Sequence, residues 1–273
     1  MALFKQTLAK IQQIVSFFRY SNTPITLTLD TLKLQKNPFI AQANSGLKLS
    51  LRPNAGESFT FYENLIRQDY LQQGIQLKPG DTVIDIGANI GAFTVLAASQ
   101  VGSSGKVLAF EPEAATFKCL LKNIQLNQLA NVTPINEAID KTEGLAELRV
   151  GHKSAFSNIH GSLGHMKSIS AQTVKTTTLV KVFEIFKIAT VNLLKVDCEG
   201  SEYGLFETLP PSLAARIEQI AMEVHHTREH HPREIVLQLE QLGFKVQNTQ
   251  PLTAFLRIKR FTPPLTKGGE GGF

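Results

Sequence analysis

G-D-T-V-I-D-I-G-A-N-I-G, residues 80–91, is the stretch on which the fold turns. Val83, Ile84 and Ile86 make the short β-branched run that a strand buried on both faces requires. The run stops at Gly87, and a second glycine follows at Gly91. Residues 92–101 (A-F-T-V-L-A-A-S-Q-V) are nearly all apolar and long enough for a buried helix. A buried strand passing through a glycine turn into a buried helix is the first half of a nucleotide-binding βαβ unit. Glycines there let the backbone approach a ligand closely, and the helix N-terminus offers it N–H groups.

The spacing separates two classes of ligand. A dinucleotide fingerprint needs G-x-G-x-x-G, with the middle glycine making room for a pyrophosphate. This chain has Asp85-x-Gly87-x-x-x-Gly91, with Asn89 between the glycines and an acid at the strand end. A carboxylate repels a pyrophosphate but attracts the ammonium of an amino-acid moiety, which S-adenosylmethionine carries. Residues 106–110 (K-V-L-A-F) read as the second strand, with Glu111 at its tip, 26 residues beyond Asp85. An acid there can accept from both hydroxyls of a ribose. Taken alone, Glu111 is also readable as a helix-start acid before Ala114. A third strand over residues 132–139 places Glu137 near the adenine of such a ligand.

Length and composition describe one α/β domain with a modest extension: 273 residues, 42% hydrophobic and 19% charged. The net charge is +5, but the basic residues are scattered, so no nucleic-acid footprint is expected. Two cysteines, Cys119 and Cys198, make no disulfide framework and suit a cytoplasmic location. No run reaches the ~18 apolar residues of a membrane span. Residues 1–54 form a flank or lid, with a helix over 1–20 and strands at 25–29 and 47–51. Residues 55–261 form the main domain and open with a helix over 59–73. Residues 262–273, rich in Gly and Pro, read as a disordered tail.

A second site lies at residues 191–202. The buried strand V-N-L-L-K-V runs directly into Asp197, Glu199 and Glu202, a concentration of like charge that helix capping alone does not explain. Open α/β sheets bind ligands beyond their strand C-termini, so this cluster and the Asp85 turn should share one crevice. A fifth strand, 217–224, ends in Glu223 and His225, and His225 is the candidate base. Residues 151–172, carrying His152, His160 and His165, read as a long polar loop before a strand at 173–179. His225, His226, His230 and His231 lack i, i+4 zinc spacing and a nearby cysteine, so no metal is expected.

Three blocks of this chain resemble the FkbM-type S-adenosylmethionine-dependent methyltransferases. They are D-T-V-I-D-I-G-A-N-I-G with A-F-E-P, L-L-K-V-D-C-E-G-S-E-Y, and M-E-V-H. The resemblance implies a Rossmann-like class I methyltransferase fold, a mostly parallel seven-stranded sheet with helices on both faces. It implies O-methylation of a hydroxyl on a sugar, polyketide or related metabolite. By position, Asp85, Gly87, Asn89, Gly91, Glu111, Glu137 and Asp197 would hold the cofactor. Asp197, Glu199 and His225 would carry the chemistry, with Glu202 and Glu223 toward the acceptor. The expected partner is a small hydroxylated molecule, neither nucleic acid nor membrane-integral; the sequence leaves oligomeric state open. Two rivals differ at named residues. A nicotinamide-dependent oxidoreductase needs a glycine near Asn89, and a non-catalytic module should have lost the second acidic cluster.

Overall fold

A computed structural model describes residues 2–72, 74–150, 157–158, 170–198, 202–225, 230–248 and 254–260. Two N-terminal helices, α1 (Ala2–Tyr20) and α2 (Pro24–Thr31), lead into a hairpin of β1 (Phe39–Gln42) and β2 (Lys48–Leu51). After α3 (Glu57–Phe61), the chain continues as a π-helical run, Tyr62–Arg67, and a 3₁₀ turn, Asp69–Leu71. The core then alternates: β3 (Thr82–Ile86), α4 (Ala92–Val101), β4 (Lys106–Phe110), α5 (Ala114–Leu126) and β5 (Val132–Ile135). A side sheet follows, from β6 (Ala138–Ile139), β7 (Gly144–Val150), β8 (Ser157–Asn158) and β9 (Ser170–Thr177). The chain returns through α6 (Leu179–Ile185), β10 (Leu193–Val196), α7 (Glu202–Glu207), α8 (Pro211–Ala214) and β11 (Gln219–Val224). It closes with α9 (Pro232–Gln241) and the antiparallel pair β12 (Phe244–Asn248) and β13 (Ala254–Arg260).

The main sheet runs β12-β13-β11-β10-β3-β4-β5; β11 to β5 are parallel, and β13 is antiparallel to β11. From β3 the chain steps outward through β4 and β5, then crosses back to lay β10 against the other side of β3. The strand order therefore reverses between β3 and β10, and a crevice opens at their C-terminal ends. Strand alternation divides the core. Ile84, Ile86, Leu194 and Val196 face the layer holding Phe183, Phe206 and Leu239. Val83 and Leu193 face Tyr70, Phe93 and Val101. Asp85 and Lys195 follow Val83 and Leu193 by two residues, so they share that second face.

Several local expectations change. Residues 25–29 are helical rather than extended: Leu27 is buried while Ile25 and Leu29, one turn apart, are exposed. Pro24 suits a first helical turn, and the Thr28 and Thr31 hydroxyls donate to the carbonyls of Pro24 and Leu27, four residues back. The helix expected over 59–73 is shorter and broken into three pieces, with Gln68 in the left-handed region at φ 54°. The strand expected over 132–139 splits between two sheets. Asn136 turns the chain there by donating to the carbonyls of Glu111 and Pro112. Leu179 belongs to α6 rather than to the preceding strand, with Thr178 as its N-cap.

The N-terminal segment shares its core with the domain behind it. Phe17, Leu27, Leu49 and Phe61 join Ile90, Val95 and Leu96 in one apolar cluster. Asn123 of α5 accepts from the Ser50 N–H and donates to the Ile90 carbonyl, which ties β2 to the turn before α4. The expected tail at 262–273 lies outside the described residues.

Candidate active site

The parallel register pairs Asp85 directly with Lys195 across β3 and β10. Lys195 Nζ lies 3.1 Å from Asp85 Oδ1 and donates to the Gly87 carbonyl at 2.7 Å. Both side chains are buried. Burial acts to lower the lysine pKa, but the Asp85 and Asp197 charges outweigh it and hold it above its ordinary value. Thr94 donates its hydroxyl to the other Asp85 oxygen. The ammonium expected to meet Asp85 is thus supplied within the protein by Lys195. Lys195 is an addition to the residues expected from sequence, although a lysine inside a four-residue buried strand must find a counter-charge.

The glycines have a different physical reason from the one expected. Gly87 has φ 72°, and a Cβ there would sit 1.8 Å from the Asp197 carbonyl oxygen. Gly91, at φ 87°, would meet Leu120 Cδ1 at 2.5 Å. Both therefore admit neighbouring protein. The N–H groups of this turn are also internally used. Gly87 and Ala88 donate to the Phe110 carbonyl, Asn89 to Glu111, Ile90 to the Asn89 side chain, and Gly91 to the Ala88 carbonyl. Asn89, at φ 53°, takes the left-handed conformation that asparagine tolerates better than most residues.

Glu111 sits at the tip of β4, buried, accepting from the N–H groups of Asn89 (2.9 Å) and Glu113 (2.8 Å). Each oxygen accepts from one of these N–H groups and so retains acceptor capacity. Burial pushes its pKa up to about 7 against those two hydrogen bonds. Helix capping falls to Glu113, which accepts from the N–H groups of Ala115 and Thr116. Glu137 lies on the link between β5 and β6, partly buried, beside Asn136.

A cavity of about 380 Å³ opens at the strand ends. Gly87, Asn89 and Phe93 line one side, Tyr70 and Glu63 another, and Lys195, Asp197, Glu223 and His225 the floor. Tyr70 donates its hydroxyl to Asp197 at 2.8 Å, and burial followed by the Asp197 charge raises its pKa well above the ordinary range. His225 Nδ1 lies 2.8 Å from Glu202, which is fully buried at the start of α7. A carboxylate can only accept, so Nδ1 carries the hydrogen, and Nε2 lies 3.8 Å from Glu223. Glu202, expected to meet the acceptor, instead holds the histidine. Asp197, Glu223 and His225 each bring one ligand atom within 4.8 Å of the others. His230 contacts Glu234 and stacks on Tyr203, and His231 caps α9, so both have roles in the fold. Glu199 and His226 lie outside the described residues.

Two cavity carboxylates resist ionisation. Burial, then the Asp197 and Glu223 charges, pushes Glu63 up to about 8; burial, then Asp197, pushes Glu223 up to about 7. A carboxyl with a higher pKa in the folded than in the unfolded chain keeps a proton the unfolded chain has lost. Between about pH 4.5 and 8, rising pH therefore favours unfolding. The ligand-free protein should melt at lower temperature at about pH 8 than at about pH 5.5, with a shallower fall for Glu63→Gln. Identical pH slopes for the two proteins would show that Glu63 ionises freely.

A family model described as "Methyltransferase FkbM domain" matches residues 85–246, more than half of the chain. The chain is 27% identical over 268 residues to 31-O-demethyl-FK506 methyltransferase FkbM of Streptomyces tacrolimicus, covering 88% of this chain and 98% of that one. It is 26% identical over 193 residues to methyltransferase 1 of Beauveria bassiana, covering 63% and 76%. Among solved structures, a methyltransferase FkbM from Methylobacillus flagellatus aligns at TM-score 0.48 and 12% identity, over 69% of this chain and 47% of that one.

Proposed function

The chain belongs to the FkbM methyltransferase family, and we propose that it uses S-adenosylmethionine to methylate a hydroxyl of a small molecule. The observation that carries this reading is His225 lining the cavity, its ring oriented by Nδ1 against the buried Glu202 carboxylate at 2.8 Å. The cavity also suits a cationic ligand. Glu63, Asp197 and Glu223 face one ammonium, Lys195, and burial with the Asp197 charge pushes Glu63 up to about 8 and Glu223 up to about 7. S-adenosylmethionine, when bound, supplies a methyl group already activated by a positive sulfur.

The 87–91 turn, Glu111, Glu137 and Asp197 would hold that cofactor, with Glu111 reaching the ribose through its remaining acceptor capacity. Asp85 would act through Lys195, which it keeps charged beside the Gly87 carbonyl. His225 Nε2 takes the proton of the acceptor hydroxyl as the new bond forms, and Glu202 stabilises the resulting imidazolium. Glu223 and, by its sequence position, Glu199 bind the acceptor beside it. Holding the hydroxyl in line contributes several kcal/mol, ~7–11 for ideal alignment; a general base adds ~10²–10⁴-fold.

An acidic cavity disfavours the phosphates of a nucleic acid and suits a neutral polyol or polyketide. The name of the Streptomyces tacrolimicus relative specifies an O-demethyl acceptor, which supports oxygen as the receiving atom. Incubation with S-adenosylmethionine and hydroxylated metabolite pools should give products heavier by one CH₂, roughly 14 daltons, stable to mild base as an ether is. Methyl gain only on nitrogen or carbon would overturn the O-methyl reading, and no gain from any pool would overturn the small-molecule acceptor.

A further inference from the structure

We infer that the outward face of α1 and α2 docks this protein on an anionic membrane surface. Two independent features converge on that face. The first is exposed apolar surface. Of fifteen large apolar side chains exposed among the described residues, ten lie between Leu8 and Ile40. Leu8, Ile11, Val15 and Phe18 follow 3-4-3 spacing along α1, and at ~100° per residue they form one stripe. Gln13 and Phe17, the buried residues of α1, lie on the opposite side of the helix. On α2 and its C-cap, Ile25, Leu29 and Leu32 stand likewise opposite Leu27. The two helices pack on one another, so both stripes belong to a single surface unit. Apolar surface so concentrated marks an interaction site.

The second feature is charge. Residues 1–52 carry seven of the 28 Lys and Arg but only one of the 23 Asp and Glu, a formal +6. The whole chain is +5, so everything after residue 52 sums to −1. The single acid, Asp30, is turned inward, accepting from the Asn54 N–H and the Ser58 hydroxyl. Arg52 pairs with the buried Glu57 at 2.6 Å, and the exposed Lys10, Arg19, Lys33 and Lys36 set positive charge beside the apolar stripes, the combination that seats a helix at an anionic lipid headgroup layer. An RNA partner would use the charges and leave Ile11, Val15 and Phe18 in water. A second copy of this chain would have to bring two strongly positive faces together. No helix among the described residues is long and apolar enough to cross a membrane, so the attachment is peripheral.

Sedimentation of the full chain with vesicles tests this. Wild type should pellet with vesicles containing phosphatidylglycerol and stay in solution with pure phosphatidylcholine, and high salt should release it. Ile11→Ser with Phe18→Ser should weaken vesicle binding at least tenfold without changing the melting temperature, because both side chains are already exposed. Lys10→Gln and Lys33→Gln should each weaken it about fivefold. Failure of wild type to pellet with the anionic vesicles would overturn the inference, as would undiminished binding by the double serine variant. Two other results would also overturn it: RNA binding, or concentration-dependent dimerisation, that depends on these residues without any vesicle binding.

Discussion

Lys195→Met should be among the most damaging single substitutions in the chain, costing about 3–5 kcal/mol. The reason is the state in which it leaves Asp85. That carboxylate is fully buried, and its counter-charge at 3.1 Å is the Lys195 ammonium. Without the lysine, Asp85 must either stay ionised in an apolar interior or take up a proton, and both outcomes cost stability. At ~2–4 °C per kcal/mol for a chain approaching this length, the melting temperature should fall by roughly 6–20 °C. Adding Asp85→Asn should recover much of that loss, because the amide oxygen can still accept from Thr94 while the orphaned charge is gone. A single variant as stable as wild type would mean that Lys195 and Asp85 do not depend on one another.

The largest effect on activity is expected at His225. His225→Gln should lower the single-turnover methyl-transfer rate ~10²-fold or more at saturating acceptor, with cofactor affinity unchanged. Glu202→Gln separates the base from the residue that positions it. The amide still hydrogen-bonds Nδ1 but no longer stabilises an imidazolium, so the rate should fall less. The pH at which the rate saturates should also move down, since a lost carboxylate makes His225 easier to deprotonate. An unchanged transfer rate for His225→Gln would remove it as the base and pass that role to Asp197 or Glu199.

The parts of this fold readable from sequence are those where one local rule governs one element. β3, α4 and β4 each answer chiefly to one demand, burial, and their bounds follow from predominantly apolar runs. α2 was misread because alternation at Ile25, Leu27 and Leu29 fits a strand as well as a helix with one inner and two outer residues. Only docking against Phe17 decides between them. Within the site, strand-end acids were visible because charge in that place is costly, but their division of labour was not. Glu202 and Glu223 look alike in sequence. Burial sends the first behind His225 and leaves the second, 31% exposed, in the cavity. Tyr70 reaches Asp197 across 127 positions of chain, a pairing that depends on how the segment before β3 folds over the crevice. Lys195 was legible only in part: a lysine inside a buried strand calls for a counter-charge, but its partner Asp85 is set by the parallel register of β10 on β3.

We propose that S-adenosylmethionine binds in the crevice between β3 and β10, with Glu111 on its ribose. Calorimetric titration with S-adenosylhomocysteine, which shares that ribose, tests it most directly. Wild type should bind at one site per chain, and Glu111→Ala should bind about 10- to 100-fold more weakly, the loss of a hydrogen bond to a charged group. The variant's melting temperature would be measured alongside to show that it remains folded. Equal affinity in a folded Glu111→Ala protein, or no binding heat in wild type, would contradict the claim.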